Sequence, residues 1–68
     1  MKVNIYEERE GCDQRRIGNG PRYLDEAVEQ YFGSSNMKAF EEECDRAEEE
    51  IKRAGRYWIT GTIILMRA

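Results

Sequence analysis

Hydrophobic and polar positions follow two different periods along this chain. Near the N-terminus, Val3 and Ile5 alternate with Asn4 and Tyr6. That period of two, in residues that favour extended backbone, predicts a strand from Lys2 to about Arg9. Glu10-Gly11-Cys12-Asp13 carries turn chemistry, and Gln14 to Ile17 is expected to return as a short second strand, closing a hairpin. Gly18-Asn19-Gly20-Pro21 is expected to break the chain.

The period then changes. Leu24, Ala27, Val28, Tyr31 and Phe32 fall on one face of a helix predicted over Arg22 to Phe32. Asp25 and Glu26 suit the positive end of its dipole, and Gly33 suits its C-terminal cap. Ser34, Ser35 and Asn36 offer N-caps to a second helix, so a tight helical hairpin is expected. That second helix, Met37 to Ala54, shows Met37, Phe40, Cys44, Ala47, Ile51 and Ala54 at steps of three and four. Lys52, Arg53 and Gly55 mark its end.

Arg56 to Arg67 is β in composition. Tyr57, Ile59, Gly61, Ile63 and Leu65 point to one side, and Trp58, Thr60, Thr62, Ile64 and Met66 to the other. Apolar groups on both sides predict a central strand, or one whose second face meets a partner, with Gly61 at a bulge or a close backbone approach. The expected fold is therefore α+β: a small two-layer β-β-α-α-β domain, a three-stranded sheet with a helical hairpin packed on one face. If the last strand lies beside the first, that pair would be parallel.

Length and charge narrow the picture. A chain of 68 residues makes one domain and buries only about 60% of its unfolded surface. No apolar leader opens it, and the run Tyr57 to Met66 falls far short of the roughly 20 apolar residues of a membrane helix. A soluble, cytosolic protein with no membrane contact is expected, its two cysteines, Cys12 and Cys44, reduced. The net charge of −3 argues against direct nucleic-acid binding, which needs basic surface. The acidity is local. Residues 41 to 50 hold seven acids, whereas 51 to 68 hold four bases and no acid.

Candidate chemistry is sparse. With no histidine, neither cysteine has the base a nucleophile needs or the co-ligands zinc needs, so no cofactor, metal or catalytic residue is expected. Cys44 reads as an apolar filler of the helix stripe. Gly18-Asn19-Gly20 lacks the rest of any phosphate-loop motif and reads as a turn. Arg15, Arg16, Arg22 and Tyr23 form a small basic and aromatic cluster suited to RNA or a carboxylate, or to balancing the acidic helices. Any Tyr or Trp left on the open sheet face would be an interface anchor. On the second helix, Glu42 with Arg46, Glu48 with Lys52 and Glu49 with Arg53 have the spacing of stabilising pairs. Glu41, Glu43, Asp45 and Glu50 have no such local partner. Carboxylates one turn apart stand about 5–6 Å from each other, so a row of them can occupy a basic groove.

Tyr23-Leu24-Asp25-Glu26-Ala27-Val28-Glu29, reached from a strand hairpin, resembles the start of the helix in HicB-type antitoxins, without that family's glycine-proline-rich strand motif or DNA-binding tail. As a class, a tiny α/β body with an acidic helical face and no enzymatic residues resembles the small phage-encoded inhibitors, especially anti-CRISPR proteins. That resemblance implies a non-enzymatic inhibitor that binds a protein partner with a basic groove, such as a CRISPR effector subunit. Glu41, Glu42, Asp45, Glu49 and Glu50, read as sharing the outer side of the second helix, are the expected partner-binding residues. The alternative reading is a regulatory or structural interaction module, antitoxin-like or homodimeric, that uses the sheet.

Overall fold

The computed structural model describes residues 1–9 and 14–68; the turn expected at 10–13, with Cys12, lies outside them. Two helices cover one face of a four-stranded antiparallel sheet of order β2-β1-β4-β3. Strands β1 (Lys2–Glu8) and β2 (Gln14–Tyr23) precede helices α1 (Leu24–Tyr31) and α2 (Met37–Ala54), and β3 (Arg56–Trp58) and β4 (Ile63–Arg67) follow. No helix among the described residues is long and apolar enough to cross a membrane.

The expected three strands become four because 56–67 folds back on itself. Ile59 and Thr60 donate backbone N–H bonds to the Ile63 carbonyl at 3.0 and 3.5 Å. The Thr60 hydroxyl accepts from the N–H groups of Thr62 and Ile63 at 3.2 and 3.1 Å. Gly61 thus sits in a turn rather than at a bulge. The reversal has a second consequence: β4 reaches β1 antiparallel, pairing Ile5 with Leu65 and Tyr6 with Ile64, so no parallel pair forms. β4 is central and β3 an edge.

β2 is also longer than expected. Gly18-Asn19-Gly20-Pro21 does not end the strand; it is an irregular stretch between Ile17, opposite Ile5, and Arg22, opposite Val3. Gly18 and Gly20 carry φ of 86° and 115°, angles that residues with a Cβ seldom adopt. α1 consequently starts at Leu24 rather than Arg22, and it ends at Tyr31, with Phe32 as its cap residue. Gly33 then donates to the Val28 and Glu29 carbonyls at 3.3 and 3.1 Å. α2 keeps the expected bounds. Asn36 caps it, accepting from the Ala39 N–H at 3.1 Å, and Gly55 at φ 86° closes it with a bond to the Ile51 carbonyl.

The core lies between the layers. Val3 and Ile5 of β1, Ile63 and Leu65 of β4, Leu24, Ala27 and Val28 of α1, and Ala47 and Ile51 of α2 are buried there. The stripe on α2 holds in its middle, where Phe40 and Cys44 pack against the cluster. It fails at its ends, since Met37 is 59% exposed and Ala54 is exposed. Its place is completed by an acid: Glu43 is only 6% exposed. The Tyr57 hydroxyl donates to its Oε2, and Arg46 stands 3.5 Å from its Oε1. A buried carboxylate needs such partners, because it gives up water on burial.

Tyr57→Phe therefore leaves a buried acceptor short of a donor, and is expected to lower unfolding free energy by about 1–3 kcal/mol in urea titrations. The same bond sets a pH window. Burial, then the hydrogen bond and charge of Glu43, push the Tyr57 phenol up to about 12. The folded protein holds that proton more tightly than the unfolded chain does. The stabilisation is whole below pH 10 and is lost as pH rises toward 12. Wild type should lose stability relative to Tyr57→Phe across that window; parallel pH profiles would show that the phenol is not tied to Glu43.

Candidate functional site

The seven acids of α2 sort into three lines along the helix, because residues seven apart return to nearly the same side after two turns. Glu43 and Glu50 make one line, facing β3. Glu43 is held by Tyr57, and Glu50, half-buried, pairs with Arg53. Glu42 and Glu49 make a second line on the outer back, where both are exposed. Glu41 and Glu48, with Asp45 between them, make a third line on the side that meets α1.

Of the expected partner-binding residues, Glu41, Glu42, Asp45 and Glu49 are exposed and make no ion pair among the described residues. Glu50 departs from them. It lies toward the sheet edge, beside Tyr57 and Trp58, and not on the outer side. The expected helix pairs are also redistributed. Glu48 does face Lys52 at 3.7 Å, but Arg46 turns to Glu43 and Arg53 to Glu50. The inward Glu43 holds Arg46 away from Glu42.

The third line meets acids from α1. An open depression of about 300 Å³ lies at the seam of the helices, lined by Met1, Tyr23, Leu24, Cys44 and the acidic residues Asp25, Asp45 and Glu48. Its position is fixed from both ends of the chain segment: the Leu24 N–H donates to the Met1 carbonyl at 3.0 Å, which brings the N-terminus against the start of α1. Cys44, a free thiol, reports the local field. Its pKa is raised, first by burial and then by Asp25, Asp45, Glu43 and Glu41. The seam is therefore an acidic hollow with an apolar and aromatic floor, in which Glu48 already faces Lys52 while Asp25 and Asp45 make no ion pair among the described residues, a shape that takes the stem and head of a lysine or arginine.

Asp25 and Glu48 escaped the sequence reading. Asp25 looked like a helix-dipole residue, and Glu48 like half of an ion pair. The missed signal is that Asp25 follows the buried Leu24 and Glu48 follows the buried Ala47, which puts each acid at the rim of a helix face. Glu43 carried a signal too: Phe40, Glu43, Ala47 and Ile51 keep the helical spacing as well as Phe40, Cys44, Ala47 and Ile51 do.

Charge divides between the layers. The two helices hold ten acids and four bases, while the four strands hold six bases and two acids. Among the described residues, no group of three or more His, Cys, Asp or Glu side chains is placed to hold a metal ion. Comparison with protein-family models, with curated proteins and with solved structures finds no match to this chain.

The seam's field is measurable through its thiol. In a Cys12→Ser background, Asp25→Asn and Asp45→Asn are each expected to lower the midpoint of the pH profile for Cys44 alkylation. Both remove a charge that disfavours the thiolate. An unchanged midpoint in Asp25→Asn would mean that the two helices do not meet as described.

Proposed function

We propose that this chain acts by binding and not by catalysis. In this reading the acidic helical layer docks on a lysine- or arginine-lined groove that serves nucleic acid in its partner, and so excludes the nucleic acid. The observation that carries the reading is the convergence of Asp25, Asp45 and Glu48 around the open depression between α1 and α2. Exposed Glu41 beside it, and Glu42 and Glu49 on the helix back, extend the negative surface. A basic side chain seated in the seam would be flanked by carboxylates from two helices. The surrounding acids would speed encounter and make it sensitive to salt.

The class resemblance to phage-encoded inhibitors makes an assembled CRISPR effector the first partner to test. The tagged protein is mixed with a bacterial lysate containing that effector, at low and at high salt. Wild type is expected to retain an effector subunit at low salt and release it at high salt. Asp25→Lys with Asp45→Lys should abolish retention, while Glu42→Lys with Glu49→Lys should weaken it only several-fold. Retention of no effector subunit, or retention indifferent to charge reversal in the seam, would overturn the reading.

A further inference from the structure

The sheet face opposite the helices has its own apolar centre. Ile64 is fully buried, yet it belongs to the row that alternates away from the core residues Ile63 and Leu65. No helix covers that side. The register places Tyr6 of β1 on one flank of Ile64 and Trp58 of β3 on the other, with Arg16 of β2 beyond Tyr6. A single transverse row, Arg16–Tyr6–Ile64–Trp58, thus crosses all four strands. Trp58 remains 39% exposed.

The charges around that row are mostly of one sign. Arg56 pairs in register with Met66, one step along from Trp58, and is exposed. Lys2 stands on the same side, its ammonium 5.3 Å from the centre of the Tyr23 ring. Among the described residues, the acid of this face is Glu8, which lies at the far end and accepts from Gln14 at 3.5 Å. Beside Trp58 and Arg56, an open depression of about 420 Å³ leads around the β3 edge toward α2, where Glu50, paired with Arg53, lines its far side.

We propose that this open face is a docking platform for single-stranded nucleic acid. Aromatic side chains on a flat sheet offer bases a stacking surface that accepts any sequence, and flanking lysine and arginine neutralise the backbone. The overall negative charge does not oppose this, because it averages an acidic helical layer with a basic sheet layer, and the ligand meets the sheet. A second copy is the wrong occupant. Two such faces packed across a two-fold axis would bring Lys2, Arg16 and Arg56 against their own kind.

The platform lies on the opposite layer from the acidic seam, meeting it only where Lys2 stands over Tyr23, and it does not rest on the function proposed above. Its test uses the one tryptophan of the chain, which stands in the platform itself. Titration of the whole protein with oligo(dT) or oligo(rU) at low salt is expected to quench Trp58 emission. Affinity should fall with salt at a log–log slope of about −2, the value for three bases on a single strand. Arg16→Glu with Arg56→Glu, both at exposed positions, should weaken binding at least tenfold while far-UV circular dichroism stays native. Asp25→Lys with Asp45→Lys should leave both the quenching and its dependence on Arg16 and Arg56 in place, which separates this proposal from the seam. Absence of quenching by the oligonucleotides, equal quenching by polyglutamate, or unchanged affinity in the double arginine variant would overturn it.

Discussion

The seating of Phe40, Ala47 and Ile51 on the core, completed by the hydrogen bond from Tyr57 to Glu43, sets the rotation of α2 about its own axis, and the surface chemistry follows from that rotation. A carboxylate buried to this degree is tolerated only with its donors in place, so α2 cannot roll without stranding it. With Glu43 held inward, Glu50 is carried to the flank beside Tyr57 and Trp58. Asp45 and Glu48 are carried toward α1, where they meet Asp25. Glu42 and Glu49 are left outermost. That apolar seat, together with one polar contact made between positions 14 residues apart in the chain, thereby decides which acids gather and which stand alone.

Much of this body was legible in the sequence. The bounds of α2, its Asn36 cap and its Gly55 stop follow from spacing and cap chemistry that act within a few residues. The short link between the helices likewise follows from Gly33 to Asn36. Errors arose where a distant partner decides. Arg56 to Arg67 has strand composition throughout, and Thr60-Gly61-Thr62 lacks the strong turn dipeptides that announce a hairpin. What stabilises the reversal is a set of bonds to the Thr60 hydroxyl and the Ile63 carbonyl, which local composition does not advertise. Gly18-Asn19-Gly20-Pro21 misled in the opposite sense. Its residues are turn formers, but pairing of Val3 with Arg22 and of Lys2 with Tyr23 pulls the chain back into the sheet.

The candidate site was legible in kind and not in place. The density of acids on α2 is plain from the sequence, and Asp45 belongs both to the expected set and to the seam. The contribution of α1 was hidden because Asp25 becomes relevant only when two helices are laid side by side, a tertiary event. The inward turn of Glu43 was hidden because a helical wheel ranks positions by polarity, and an acid on the apolar side reads as misfit until a phenol is found for it. Ion pairs at the surface are weak enough to be reassigned by such a contact, and Arg46 accordingly pairs with Glu43 rather than the expected Glu42, while Arg53 pairs with Glu50 rather than Glu49.

Splitting the last strand in two does more than raise the strand count. A continuous strand from Arg56 to Arg67 would place Trp58 and Ile64 six positions apart on one line, too far for contact. Folded back at Gly61, the same residues become direct cross-strand neighbours, and cross-strand pairs are where a sheet gains its side-chain stabilisation. Tyr6 closes on Ile64 from the other side. The open face thereby obtains a dry centre without a covering helix, and its aromatic residues are held in register by the ladder itself. Three bases, Lys2, Arg16 and Arg56, flank this centre. The register divides the strand bases between the two sides of the sheet: Lys2, Arg16 and Arg56 share the open face with Ile64, whereas Arg22 and Arg67 pair with Val3 on the helix side, where Arg22 reaches Gln30.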